Sequence, residues 1–238
     1  VWNKRTTHTV RFIRNRVASS LPTPVGLDPR KISTERNSNS IALIIGIEKY
    51  KNLPDAQFAN RDAQVFSDYA THALGVPPSR VKLLLNEKAT EISIKKVVRG
   101  WLRSLIIENK SNVYIFYAGH GLAAESGNDL YLLPYDGDTD LLEDSSIKRT
   151  ELFDDISQQS PKSVTVFLDT CYSGISRSSE HLLANIRGLR IQLKSQRAIP
   201  NQFTVFSAAS NDEVALGYTE AKHGVFSYFM MKGMEGKA

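Results

Sequence analysis

The sequence contains one cysteine, Cys171, which lies in the segment FLDTCYSG (167–174) directly after an apolar run. A histidine, His120, follows another apolar run in the segment YAGHG (117–121). A cysteine is a good nucleophile as the thiolate, and a neighbouring imidazole can accept or return the proton. These two residue types therefore predict attack by a thiolate, with a histidine as general acid and base.

The two apolar runs have the length and composition of buried strands, NVYIFY (112–117) and SVTVFL (163–168). In open α/β sheets, ligands bind beyond the carboxyl ends of the strands. We therefore expect two adjacent parallel strands to bring His120 and Cys171 together. The glycines on either side of the histidine permit a tight turn and close approach of a substrate backbone.

From residue 41 onwards, strand patterns alternate with helical patterns. Further strands are predicted at 41–47, 81–85 and 203–208, a short extended piece at 129–134, and helices at 56–74, 90–109 and 223–234. This alternation predicts an α/β fold with a mostly parallel central sheet and helices on both faces.

Composition excludes several classes of protein. A length of 238 residues suits one large domain, and a single cysteine cannot form an internal disulfide. The longest apolar run, IALIIGI, has seven residues, which is too short to span a bilayer, and no secretory signal is visible. The sequence therefore predicts a cytoplasmic protein without a membrane partner.

The net charge of +5 belongs to the N-terminal region. Residues 1–36 carry eight Lys and Arg residues against two acidic ones, so the remainder of the chain has a charge of −1. We interpret residues 1–40 as a basic arm followed by a Pro- and Ser-rich linker, and 41–238 as the folded domain. A solvated extension is the preferred interpretation of the arm, and contact with nucleic acid is the alternative.

The motif YAGHG, followed 51 residues after its histidine by the cysteine of DTCYSG, resembles the caspase-like cysteine peptidases (peptidase family C14, clan CD), and among them the bacterial metacaspases. The resemblance extends over 41–238 and includes four further segments: IALIIGIEKY, YLLPYD, FSAASNDEVA and HGVFSYFMMKG. It implies a three-layer caspase-like fold and a cysteine endopeptidase that needs no cofactor. Cys171 would be the nucleophile and His120 the acid and base, with the backbone N–H groups of Gly121 and Cys171 as the oxyanion hole.

The same resemblance implies which substrate residue is recognised before the cut. Caspases hold an aspartate with arginines, whereas metacaspases hold arginine or lysine with acidic residues. Asp62 and Asp169 match two such acidic positions. Ala118 stands where metacaspases often have serine, and Ala59 where they have cysteine. Cleavage after Arg or Lys is therefore expected.

Alternatives remain open at each pocket position. Asp62 is also compatible with a solvated helix residue, and Asp169 with a turn former at a strand end. Arg61, beside Asp62, leaves an aspartate-specific peptidase as an alternative. A caspase-fold signalling or scaffold domain without turnover is a further alternative, although both residues of the dyad are present.

The segment 175–200 holds five basic residues against one glutamate. In the family this stretch often holds a processing site, so an enzyme that cuts after basic residues can be expected to cut here in itself or in a neighbour. A structural helix with a basic face is the equally weighted alternative. Protein or peptide substrates are the expected partners, and the sequence predicts no oligomeric state.

Many metacaspases are activated by calcium, which needs six to eight oxygen ligands. Asp136 can supply one ligand. The segment that would supply two adjacent aspartates has Arg149 and Thr150 instead, and residues 177–179 offer only hydroxyls and another arginine. A cation at such a site adds repulsion. We therefore expect no metal site and activity that does not require calcium. The alternative is a different calcium site, formed by the acidic run from 136 to 144.

Overall fold

A computed structural model describes residues 24–124, 129–170, 199–208 and 217–236. Cys171 and nearly all of the segment 175–200 lie outside the described residues, as do most of the basic arm and part of the FSAASNDEVA segment.

The described strands, in chain order, are β1 (Ser40–Gly46), β2 (Val81–Leu85), β3 (Asn112–Ala118), β4 (Gly121–Ala123), β5 (Leu130–Leu132), β6 (Ile147–Lys148), β7 (Ser163–Asp169), β8 (Phe203–Ser207), β9 (Gly217–Tyr218) and β10 (His223–Gly224). The described helices are α1 (Ala59–His72), α2 (Glu91–Lys96), α3 (Arg103–Leu105), α4 (Leu142–Ser145), α5 (Arg149–Ser157) and α6 (Val225–Met234). Between α2 and α3 the chain forms a π-helical turn, Val97–Leu102.

The main sheet has the strand order β2-β1-β3-β7-β8, and all of these pairs are parallel. The strands β3 and β7, which precede the predicted dyad residues, are neighbours as expected. Their register aligns Ala118 with Asp169. The prediction of a mostly parallel sheet is confirmed. Smaller antiparallel ladders, β4-β5-β6 and β9-β10, lie beside it.

Helices cover both faces of the sheet, so its central strands are apolar throughout. One core packs alternate residues of β1, such as Leu43, against the helical stretch 91–105 and against α5. The other packs Ile44 and its neighbours against α1 and α6. A strand buried on both faces explains the unbroken run IALIIG, since no position on it meets water. The predicted layers of helix, sheet and helix are present.

Gly46 allows α1 to lie close to the end of β1. A Cβ atom at this position would stand 2.7 Å from the carbonyl oxygen of Ala59, the first residue of the helix. Backbone contact this close is possible only without a side chain. The glycine therefore brings the first turn of α1, which contains Asp62, to the carboxyl end of the sheet.

Three details differ from the sequence prediction. The helix expected over 90–109 ends at Leu105, because Ile106 adopts an extended conformation. The helix expected from residue 223 begins at Val225, since His223 and Gly224 pair with Tyr218 and Gly217. Helix α5 was not predicted. Among the described helices, none combines the length and the apolar character needed to cross a membrane.

Residues 24–39 run over the surface formed by α1 and α6. Tyr228 of α6 hydrogen-bonds to both backbone groups of Val25, and Lys232 donates to the carbonyl oxygen of Gly26. Thr34 donates its N–H to the last residue of α1. This part of the predicted linker is therefore held against the domain.

Candidate active site

The carboxyl ends of β3 and β7 form the base of the candidate site. Gly119 donates its N–H to the carbonyl oxygen of Asp169 over 3.3 Å, so the pairing continues one residue beyond the register of the strands. The next residues along the chain are His120 on one side and Thr170 on the other. Thr170 is the last described residue before Cys171.

The turn at Gly119 requires glycine. Its φ is +156°, and a Cβ atom would stand 2.6 Å from the hydroxyl of Tyr50 and 3.0 Å from that of Tyr117. Both hydroxyls hold the backbone of the next residue. Tyr50 accepts the N–H of His120 at 2.7 Å, and Tyr117 donates to its carbonyl oxygen at 2.6 Å. The backbone of His120 is thus fixed on both sides.

The imidazole of His120 is also fixed. It is only 3 % exposed, and its Nε2 lies 2.8 Å from the carbonyl oxygen of Pro54. A carbonyl oxygen can only accept a hydrogen bond, so Nε2 carries the proton. In the neutral ring, Nδ1 then has the lone pair, and it is the nitrogen that can take up a proton. The ring of Tyr50 packs against the imidazole, with centroids 4.7 Å apart.

The remaining predicted residues on this strand end are Gly121 and Ala118. Gly121 begins β4, is buried and pairs with Leu132 of β5. Ala118 is the last residue of β3 and is fully buried. Both lie within two positions of His120.

Asp62 lies in the first turn of α1 and is 0 % exposed. Its Oδ1 accepts from Nδ1 of His223 at 2.6 Å, and its Oδ2 accepts from the N–H of Gly224 at 3.0 Å. The alternative that Asp62 is a solvated helix residue is therefore wrong. A carboxylate in the first turn also interacts favourably with the helix dipole.

Asp169 ends β7 and is also 0 % exposed. Its Oδ2 accepts from both the hydroxyl and the N–H of Ser227, at 2.5 and 3.3 Å. Ser227 lies in the first turn of α6, so this carboxylate sits at a helix N-terminus, where negative charge is favoured. Both predicted pocket carboxylates are therefore bonded to one segment, residues 223–227.

His223 contacts a residue of the candidate site and was not predicted from the sequence, because it lies in no glycine turn after a main strand. The ring is buried, and Nε of the exposed Arg61 lies 3.4 Å from its Nε2. The contact with Asp62 spans 161 residues of sequence. The motif HG before an apolar helix was the available signal, but nothing local indicated the partner.

Two of the positions considered for calcium, Asp136 and Arg149, have other contacts, and residues 177–179 lie outside the described residues. Asp136 accepts the N–H of Glu91 at 2.9 Å and so caps α2. Arg149 is 8 % exposed at the start of α5, with its guanidinium carbon 5.8 Å from the ring centre of Phe153. In the part of the chain that the structure describes, no group of three or more His, Cys, Asp or Glu side chains could hold a metal ion.

Comparison with known proteins identifies the family. Residues 39–238 match the family model of peptidase family C14, described as the caspase domain. Among solved structures, protein GSU0716 from Geobacter sulfurreducens is similar with a TM-score of 0.59 and 14 % identity, over 83 % of this chain and 82 % of that one. The proform of sf-caspase-1 is similar with a TM-score of 0.50 and 16 % identity, over 92 % and 76 %.

The Drosophila initiator caspase Dronc is similar with a TM-score of 0.52 and 13 % identity, over 87 % of this chain and 68 % of that one. At these identities the structural likeness establishes the fold, which is that of the caspases. No curated protein matches the sequence significantly.

Proposed function

The chain belongs to the caspase domain family of cysteine peptidases, and we propose that it hydrolyses peptide bonds with Cys171 as nucleophile and His120 as general acid and base. The single observation that carries this proposal is the fixed His120 at the end of β3. Its Nε2 is bonded to Pro54, and its strand is the direct neighbour of the strand that leads into Cys171.

In the proposed reaction, Nδ1 of His120 takes the proton of the Cys171 thiol, and the resulting thiolate attacks the carbonyl carbon of the scissile bond to form a tetrahedral intermediate. The N–H groups of Gly121 and Cys171 stabilise its oxyanion, each with about 3 kcal/mol. His120 transfers a proton from Nδ1 to the leaving amine, and the C–N bond breaks. Water, deprotonated by the same nitrogen, then hydrolyses the thioester and restores the cysteine.

A second buried histidine, His223, is bonded to a carboxylate, that of Asp62. It is a poorer candidate for the base than His120. The nitrogen that would have to accept a proton, Nε2, faces the Nε–H of Arg61. A proton on that nitrogen would place two donors against each other. This contact supports the assignment of proton transfer to His120.

We further propose that the enzyme cleaves after Arg or Lys, as the metacaspases do. The support is the burial of Asp62 and Asp169, since a carboxylate in a low-dielectric site attracts a cation more strongly than an exposed one. Both carboxylates are hydrogen-bonded to the segment 223–227, which brings them to one place beside the end of β7. Activity without calcium is supported by the buried Arg149 at the aligned ligand position.

An aspartate-specific peptidase is the second candidate. Arg61 is the observation in its favour, because this exposed arginine contacts the ring of His223, which is bonded to Asp62. A substrate aspartate would have to approach Asp62 as well, and that repulsion disfavours it.

The proposed function is tested by a set of fluorogenic peptides that differ only in the residue before the cut, assayed with purified protein and with Cys171→Ala and His120→Ala. We expect cleavage after Arg and Lys by the wild type, and a loss of at least about 1000-fold in both variants, in line with loss of a nucleophile or its base. Circular dichroism and a thermal melt check the fold of each variant. Activity within a few-fold of wild type in either one would refute the dyad.

A further inference from the structure

The two buried carboxylates come from different elements, α1 and β7, yet one short segment holds both. His223 and Gly224 bond to Asp62, and Ser227 bonds to Asp169. Of these donors, the imidazole of His223 is the side chain that faces Asp62.

The two contacts of the His223 ring require one tautomer. A carboxylate can only accept, so the proton between His223 and Asp62 is on Nδ1. The Nε of Arg61 can only donate, so Nε2 has the lone pair. The Nδ1 proton of the ring is therefore directed at Oδ1 of Asp62, and its Nε2 faces Arg61.

Two donors of one short segment hold the two oxygens of Asp62. Nδ1 of His223 lies 2.6 Å from Oδ1, and the N–H of Gly224 lies 3.0 Å from Oδ2. The imidazole of His223 therefore fixes the orientation of this carboxylate through a side chain, at a residue that is 0 % exposed.

We infer that His223 is a positioning residue for substrate specificity: it aligns Asp62 for recognition of the Arg or Lys side chain before the cut. This inference rests on the proposed peptidase function and names a residue of the pocket to which the proposal assigns no role. The ring of Tyr228, whose centroid is 6.4 Å from that of His223, packs beside it. The charged groups that face the imidazole from the described elements are Asp62 and Arg61.

The chain offers a matched pair of substitutions. In His223→Asn, the side-chain amide nitrogen can occupy the place of Nδ1, so the donor to Asp62 is retained. In His223→Gln, the amide reaches the place of Nε2, so the donor to Asp62 is lost while size and polarity are kept. His72→Gln, at the opposite end of α1, controls for the loss of a histidine.

The measured quantity is the ratio of kcat/KM for a peptide with Arg before the cut to that for the same peptide with Gln, together with separate kcat and KM values. A hydrogen bond to a charged group typically changes an equilibrium by about 10- to 100-fold. We expect His223→Gln to reduce the Arg-to-Gln ratio by about that factor, mainly through KM. His223→Asn should retain the ratio within about 3-fold, and in an Asp62→Asn background His223→Gln should cause no further loss.

The possible failures are distinct. If the wild type cleaves no peptide, the proposed function is overturned and this inference with it. If the wild type prefers Arg but His223→Gln keeps the ratio, or His223→Asn loses as much as His223→Gln, the positioning role is overturned and the peptidase assignment stands. Should His223→Gln fail to fold in a thermal melt, His223→Asn and Asp62→Asn decide: retention by the first and loss by the second supports the inference, and any other result overturns it.

Discussion

Glu235 should make the fold sensitive to acid. It follows α6, with its side chain almost fully buried, and it accepts hydrogen bonds from Lys232, from the hydroxyl of Tyr69 and from the N–H of Asp28. Burial alone raises the pKa of this carboxyl, but the bonds from these three residues outweigh burial and lower its pKa from 4.5 to about 2. The group joins α6, α1 and the segment before β1.

The direction of the effect follows from the lowered pKa. A carboxyl with a lower pKa in the folded state stabilises the fold above its unfolded pKa, and this stabilisation is lost as the pH falls towards the folded value. A difference of 2.5 pKa units corresponds to about 3 kcal/mol. About 2 kcal/mol of it should be lost between pH 6 and pH 3, where the carboxyl is already largely protonated in the unfolded chain.

Urea unfolding of the wild type and of Glu235→Gln at pH 6 and pH 3 measures this contribution. The variant should be less stable than the wild type at pH 6, and the difference should shrink by roughly 2 kcal/mol at pH 3. Glu220→Gln, in the exposed turn between β9 and β10, controls for removal of one carboxylate. An unchanged difference between wild type and Glu235→Gln at the two pH values would refute the reasoning.

Three further predictions concern the site itself. Gly119→Ala should reduce kcat by at least about 100-fold in a peptide assay while a thermal melt still shows a folded protein, because the new Cβ displaces the tyrosine hydroxyls that hold His120; near-normal kcat would contradict this. Asp169→Asn should lower kcat/KM for Arg peptides by about 10- to 100-fold, with little change for Gln peptides; an equal loss for both would show a structural role only. Chelation, and then addition of millimolar calcium, should change the activity by less than about 2-fold, whereas a rise of tenfold or more would show that calcium is required.

The main sheet could be predicted because its strands are apolar runs of strand length, which is the local consequence of burial on both faces. The adjacency of β3 and β7 followed from the chemistry at their ends. Helix α5 was missed because the polar sequence RTELFDDIS has few apolar residues: Leu152, Phe153 and Ile156 are buried together with the polar Arg149, whereas Glu151 and Asp154 are exposed.

The pocket could be predicted only in part. The positions of Asp62 and Asp169 followed from the family resemblance, but their burial did not, since the donors that permit it lie far along the chain. The fit of His223 against Asp62 is a tertiary contact without local pattern, and a buried charge needs such partners to be tolerated. The start of α6 was placed two residues early for the same reason, because Gly224 donates to Asp62 instead of entering the helix.

The central claim is that Cys171 is a nucleophile activated by His120 in a site that recognises a basic residue. Incubation with peptidyl chloromethyl ketones that end in Arg or in Asp, followed by mass spectrometry of the intact protein and of its peptides, tests this claim most directly. We predict one adduct per chain with the Arg reagent, located on Cys171, slow or absent labelling with the Asp reagent, and labelling at least about 100-fold slower in His120→Ala. Labelling at the same rate in His120→Ala, or faster labelling by the Asp reagent, would contradict the account.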